Sequence, residues 1–346
     1  MKRVISICLI VFLLFCALTL SGCKKQEKYS NYFFEYFDTV TTIVGFENSK
    51  EEFDANCARI KEKLAEYHQA YSIYEKFGNA KNLCYINENG GAEQVDEIII
   101  DLLLYAKEIY AKTDGKFNIA IGSVLSIWHN YREEGINDPA KARLPELNIL
   151  QEAKKHTDIS KLEINEENRS VKFLDENLKL DVGAIAKGYA VEEVARWMEK
   201  ENITGYLLNV GGNVRAVGKR ADGQKWQIGI ENPDTLDEEN PYVALLEIEE
   251  KSVVTSGSYQ RYYMVDGKNY HHIIDNETLF PADKFLAVSV ISEDSALADA
   301  LSTTLFTMDF EQGLALAQKF EDVEVMWTLF NGEQRYSSGF SNYCVK

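Results

Sequence analysis

The 346-residue sequence predicts an α+β fold. Helical and strand-like stretches interleave irregularly, without the strand–helix–strand rhythm that builds a parallel sheet. No Pro/Ser-rich linker, low-complexity block or internal repeat divides the chain. About 310 residues remain beyond the N-terminal segment, and we read residues 34–346 as one large domain with mixed or antiparallel sheets and packed helices.

The N-terminus carries an address. Met1-Lys2-Arg3 is a basic start, Val4 to Leu20 is an apolar run, and Leu20-Ser21-Gly22-Cys23 closes it with small residues before a cysteine. The run is short and ends on small residues, which marks residues 1–22 as a secretory leader rather than a spanning helix. The L-S-G-C ending resembles a bacterial lipobox. That resemblance implies a lipidated Cys23, acyl chains holding the protein at the extracytoplasmic face of a bacterial cell membrane, and a polar tether over residues 23–33.

Charge and cysteine usage narrow the function classes. Lys and Arg total 37 against 55 Asp and Glu, a formal net charge of −18, which becomes −20 once Lys2 and Arg3 leave with the leader. Nucleic-acid binding needs a basic footprint, so that class is excluded. An anionic substrate must then be received by local positive features, such as a metal or helix N-termini. Cys57, Cys84 and Cys344 remain in the domain, an odd number without metal-ligand spacing. Cys57 sits among helical positions as a small buried residue, and a disulfide between two of the three is left open.

In chain order, Phe34 to Phe46 (FEYFDTVTTIVGF) is rich in β-branched and aromatic residues and reads as a first or edge strand. Glu51 to Tyr71 places Phe53, Cys57, Ile60, Leu64 and Tyr67 on one helical face. Val95 to Thr113 is a second helix. His129, beside polar Asn130 and Arg132, reads as a surface residue, and His156 is lone. Lys141 to Lys179 holds a helix and two strands. The apolar run Leu178–Val182 ends on the bend DVGAIAKG, and an amphipathic helix follows from Tyr189. YLLNV, a Gly211-Gly212 turn, NVRAVG and WQIGI are strand-like.

Two places carry chemistry on residue grounds alone. Lys187 stands where a glycine-flanked loop meets a helix start, and free N–H groups with the helix dipole favour an anion there. Lys187 therefore reads as a phosphate ligand, with a plain turn as the alternative. Within the nearly all-apolar helix SEDSALADALSTTLFTMDF, Asp299 and Thr303 lie at i, i+4 on one face. A carboxylate inside an apolar helix must be paired. A hard cation such as Mg2+ would satisfy both oxygens while leaving room for substrate phosphates; an Asp299–Lys187 or capping pair without metal is the alternative.

Several separated blocks, in order, resemble the ApbE family of FAD:protein FMN transferases: Asp181 to Ala190, Asn209 to Gly218, Trp226 to Pro233, and Thr255-Ser256-Gly257 with Arg261, Gly267, His272 to Asp275 and Thr278. The resemblance implies a T-fold-like ApbE-type domain and a flavin pocket touched by Phe37, Tyr74, the triplet Lys116-Phe117-Asn118 and Ile273, with Asp181 at the nucleotide. A tyrosine over a flat tricyclic ring adds roughly 0.5–1.5 kcal/mol beyond area burial. The resemblance also implies a metal held by Asp299, Thr303 and the backbone carbonyl of Ala184, and His272 as the catalytic base, since a neutral imidazole suits hydroxyl activation near pH 7. The chain departs from the family pattern at Asn118 for Asp, Ser123 for Pro, Asn276 for Pro and Leu279 for Gly, so any role needing a carboxylate at 118 falls away and the 275–279 turn is expected to differ in shape.

The activity so implied is Mg2+-dependent transfer of FMN from FAD to a threonine or serine hydroxyl on an extracytoplasmic flavoprotein of a membrane redox complex, with release of AMP. An FAD diphosphatase keeps the site with water as acceptor, and a non-catalytic flavin-binding lipoprotein keeps only the binding.

Overall fold

Eight strands join into one sheet whose central strands are buried on both faces and whose edge strands are largely exposed. The structure is a computed structural model describing residues 26–233, 239–259 and 261–345. The leader and Cys23 lie outside those residues. The helices are α1 (Lys50–Tyr71), α2 (Leu83–Asn89), α3 (Glu97–Lys112), α4 (Gly122–Asn137), α5 (Leu147–Lys154), α6 (Ala186–Lys200), α7 (Ser295–Phe306) and α8 (Phe310–Ala317). The strands are β1 (Glu27–Phe33), β2 (Thr41–Glu47), β3 (Gly91–Ala92), β4 (Leu162–Asn165), β5 (Ser170–Phe173), β6 (Tyr206–Val210) and β7 (Asn213–Val217). They continue with β8 (Trp226–Glu231), β9 (Tyr242–Ile248), β10 (Ser252–Gly257), β11 (Tyr262–Val265), β12 (Lys268–His271), β13 (Ala287–Ser292), β14 (Glu324–Thr328) and β15 (Gln334–Tyr336).

The main sheet runs β1-β2-β6-β7-β10-β13-β14-β15, every neighbouring pair antiparallel. Its β6–β7 corner needs two consecutive left-handed residues, and Gly211 (φ 55°) and Gly212 (φ 87°) supply them without a Cβ penalty. Helices cover one face: α6 and α1 over β2, β6 and β7, and α7 over β10 and β13. The other face is closed by the β8–β9 ribbon, whose Trp226, Ile228, Ile230, Leu246 and Ile248 pack on Val214, Ala216, Val253, Ile291 and Met326. A second ribbon, β11–β12, packs Tyr263 against α4. The result is a single α+β domain. Cys57, Cys84 and Cys344 are free thiols, and among the described residues no helix is long and apolar enough to cross a membrane.

The α6–α7 contact aims the site. Glu192 and Arg215, both almost fully buried, pair at 3.0 Å, and the second claim on the same Glu192 oxygen is the Ser295 N–H at 2.9 Å. Asp294 caps α7 by accepting from Ala296 N (2.7 Å) and Leu297 N (3.1 Å). The first turn of α7 is thereby tied to both α6 and the sheet.

Three boundaries differ from the sequence expectation. Residues 27–33 are not a tether: they form β1, registered Glu27↔Glu47 to Phe33↔Thr41. The strand expected over 34–46 begins only at Thr41, because residues 34–40 turn, with Phe37 (φ 57°) and Asp38 (φ 49°) both left-handed. The helix expected from Tyr189 starts at Ala186, which brings Lys187 into its first turn.

Candidate active site

A cavity of about 480 Å³ opens where the 34–40 turn, the α6 start, β10, the end of β12 and α7 converge. Every residue that the sequence proposes for flavin, metal or catalysis lines it: Phe37, Tyr74, Lys116, Phe117, Asn118, Asp181, Ala184, Lys187, His272, Ile273, Asp299 and Thr303.

One end is built by α6 and α7. The α6 N-cap, Ile185, has no side-chain cap bond, so the early N–H groups need a partner from elsewhere. Asp299 supplies it across the helix interface: its Oδ2 accepts from Gly188 N at 2.8 Å. The carboxylate is 3% exposed. Its Oδ1 takes no hydrogen bond among the described residues and stands 3.7 Å from Lys187 Nζ. One turn on, Thr303 Oγ1 meets Ser256 Oγ at 3.1 Å, and Ser256 Oγ meets Ser302 Oγ at 2.8 Å. A carboxylate oxygen that takes no hydrogen bond, lining one cavity with Ala184 and the Ser256 and Thr303 hydroxyls, is a hard-oxygen donor set that fits Mg2+ or a similar ion. Among the described residues no cluster of three or more His, Cys, Asp or Glu side chains is placed to hold a metal ion, so a cation here would draw on one carboxylate together with hydroxyl and carbonyl oxygens.

Gly188 makes the approach possible. A Cβ there would overlap Ser295 O and Asp299 Cβ, so α6 and α7 would have to separate. Gly188→Ala should destabilise the fold by about 1–3 kcal/mol, the usual cost of overpacking. Chemical denaturation checks this, and a variant as stable as the parent would mean that the two helices are not clamped at this point.

The other end is aromatic. The 34–40 turn stores two left-handed non-glycine residues, a conformation that persists only when its surroundings over-determine it. His68 Nδ1 accepts from Phe37 N at 3.2 Å, Arg261 Nη2 donates to Asp38 O at 3.0 Å, and Thr39 packs on Gly211. Phe117 and Ile273 are buried walls. Tyr74 is 56% exposed, yet burial of its hydroxyl end pushes its pKa up to about 12. Asn118 spends its amide inside the protein: Nδ2 donates to Thr157 O (2.9 Å) and Oδ1 accepts from Ala120 N (2.8 Å). An aspartate could not make the first bond, so the asparagine here is a strut. Lys116 is ion-paired with Glu277. Asp181 accepts from Gly183 N at 2.9 Å, and desolvation deep in the cleft raises its pKa although part of its surface meets solvent.

The two adjacent histidines separate cleanly. His271 is buried with both ring nitrogens engaged, Nε2 with Ala282 O at 2.7 Å and Nδ1 accepting from Ile273 N at 3.2 Å. His272 faces the cavity, and its Nδ1 meets Arg261 O at 3.3 Å. A carbonyl only accepts, so Nδ1 carries the proton and Nε2 keeps a lone pair. Desolvation, with Arg261, His271 and Arg132 nearby, pushes the His272 pKa down to about 3. The imidazole is neutral at physiological pH.

The turn after it is pinned by its own hydrogen bonds. Asp275 Oδ1 accepts from Glu277 N (2.6 Å) and Thr278 N (3.2 Å), and Leu279 adopts φ 65°, a left-handed conformation at the position where the resemblance expects glycine. Leu279 is buried, and its carbonyl accepts from Trp128 Nε1 at 2.9 Å.

The residues that sequence reading missed are His68, His129 and Arg132, which all line the cavity. His129 is not a surface residue: its ring stacks on Tyr74 at 4.5 Å and its Nδ1 accepts from Arg132 Nη2 at 3.0 Å. His68 continues the α1 stripe at i+4 from Leu64, a spacing that points it inward.

A family model described as the ApbE family matches residues 37–327. The FAD:protein FMN transferase of Haemophilus influenzae is 29% identical over 332 residues, covering 92% of this chain and 91% of that protein. One from Klebsiella pneumoniae is 33% identical over 248 residues, covering 70% of this chain and 73% of that protein. Among solved structures, the ApbE protein of Thermotoga maritima superposes with a TM-score of 0.79 at 26% identity, covering 92% of this chain and 100% of its own. The flavin transferase ApbE of Vibrio cholerae shares the fold, with a TM-score of 0.74 at 24% identity over 92% of this chain and 99% of its own.

Proposed function

The chain belongs to the ApbE family, and from its cavity we propose that it is a FAD:protein FMN transferase that moves FMN from FAD to a threonine or serine hydroxyl of a partner flavoprotein and releases AMP. The observation that carries this reading is one cavity with a hard-oxygen and lysine end, an aromatic end, and a neutral histidine. FAD has the matching parts: a diphosphate and a flat tricyclic ring.

In this reading the flavin lies among Tyr74, Phe117 and Ile273, with Phe37 on the turn above. Lys187 sets its ammonium against the diphosphate, and the first-turn N–H groups of α6 add the positive end of the helix dipole. Asp299, Thr303 and the carbonyl of Ala184 would hold Mg2+, which neutralises developing charge on the diphosphate oxygens. His272 Nε2 accepts the proton from the acceptor hydroxyl as that oxygen attacks the FMN phosphorus. The new P–O bond forms as the bond to the AMP phosphate breaks, and AMP leaves. The protein's own surroundings make His272 a weak base, and a bound diphosphate raises its pKa toward useful values.

The L-S-G-C leader motif supports the further reading that Cys23 is lipidated, so that the enzyme works at the outer face of a bacterial cell membrane. The acceptor is then an extracytoplasmic flavoprotein segment. The test is incubation with FAD, Mg2+ and a peptide containing a Ser/Thr-Gly-Ala-Ser/Thr motif, the acceptor pattern that the family resemblance implies. Peptide gaining the mass of FMN less one water, with stoichiometric AMP, supports transfer. Free FMN with AMP would make the protein a hydrolase, and intact FAD would leave it a binder.

A further inference from the structure

Tyr74 projects from the α1–α2 connection with more than half of its surface exposed. Such a ring has rotamer freedom that any stacked ligand must freeze, at roughly 0.5–1.5 kcal/mol for an immobilised side chain. The structure already freezes it. His129 from α4 lies against the Tyr74 ring, centroids 4.5 Å apart and planes 26° from parallel. His129 is fixed in turn, because Arg132, one helical turn on, donates from Nη2 to His129 Nδ1 at 3.0 Å. That bond makes Nδ1 the acceptor and leaves the proton on Nε2. Arg132 is itself held, with only 16% of its side chain exposed and Glu133 at 3.9 Å from its Nε. All three side chains line the cavity.

We propose that His129, locked by Arg132, is a positioning residue that presets Tyr74 as the platform for the flavin ring. The proposal rests on the flavin-transferase reading given above, and it adds that the platform is organised from α4 before FAD arrives. One face of Tyr74 is taken by the imidazole, so the flavin meets the opposite face. The histidine touches no reacting atom. Its effect belongs in FAD binding and leaves the chemical step alone.

The experiment measures FAD affinity by quenching of flavin fluorescence, with kcat and KM for AMP release, in the full domain and in His129→Ala, His129→Phe and His129→Leu. Stacking contributes about 0.5–1.5 kcal/mol, so His129→Ala should weaken FAD binding and raise KM about twofold to tenfold with kcat unchanged. His129→Phe keeps a flat ring against Tyr74 and should restore affinity and quenching; His129→Leu fills similar volume without a ring face and should not. Equal rescue by Leu and Phe would make His129 a mere space-filler and overturn the proposal. So would affinity unchanged in Ala, or tighter binding there, which would show the imidazole occupying the flavin's own seat. A parent protein that quenches no flavin fluorescence would instead overturn the flavin reading, and this proposal with it.

Discussion

Asp299→Asn should lower flavin transfer about a thousandfold in a protein that still folds. Asparagine matches aspartate in shape, so its side-chain oxygen can keep accepting from Gly188 N, the bond that now measures 2.8 Å. It cannot keep the charge. On the proposed reading the carboxylate is the charged oxygen among the cation's protein ligands, and Lys187 at 3.7 Å is its neighbour. A metal supplies several kcal/mol of charge stabilisation in phosphoryl transfer, and about 4 kcal/mol is a factor of a thousand. Asp299→Ala should lose as much activity and more stability, since it strands the buried Gly188 N–H at a cost of about 1–3 kcal/mol. The checks are mass-resolved flavinylation and thermal melting with and without Mg2+. Mg2+ should raise the melting temperature of the parent and not of the Asn variant. An Asn variant within tenfold of the parent, still stimulated by Mg2+, would remove Asp299 from the metal.

Much of the cavity was legible because its chemistry contradicts its local setting. Asp299 is conspicuous as a charge inside an apolar helix, and Thr303 repeats on the same face; burial of the one at 3% and the Ser256 contact of the other follow from that pattern. Lys187 is conspicuous at a glycine-flanked helix start. The 34–40 turn was not legible, since aromatic and β-branched residues there favour a strand. What turns the chain is tertiary: His68 and Arg261, 31 and 223 positions away, hold Phe37 and Asp38 in left-handed conformations. Residues 27–33 hid for the opposite reason. An edge strand exposes most of its side chains, so its polar composition reads as a tether although its backbone is fully registered with β2. His129 lay beside Asn130 and Arg132 and passed for a surface group, but Arg132 folds back onto it and both turn inward. Side chains whose partners are other side chains leave no periodic trace.

His272→Ala should lower the transfer rate about 10²–10⁴-fold, the span of general-base catalysis, and should also change how the rate depends on pH. The protein holds the His272 pKa at about 3, below its ordinary 6.5, through desolvation first and then Arg261, His271 and Arg132. A base must be neutral, so acidification should switch it off. Because bound diphosphate raises the value, kcat should fall with pH along a limb lying between about 3 and 6.5. The stability sign is the same. The unfolded chain takes up this proton near 6.5 and the folded chain resists it, so the stability present above pH 6.5 is lost as pH falls toward 3. In His272→Ala the residual rate should show no such limb. His271→Ala offers the contrast, because His271 is tied to Ala282 O and Ile273 N: its loss should lower the melting temperature and keep an acid limb, moved somewhat upward because His271 is one of the groups that lower the His272 pKa. A His272→Ala enzyme that keeps both the parental rate and the acid limb would show the proton leaving by another route, and the cavity would then need a different base.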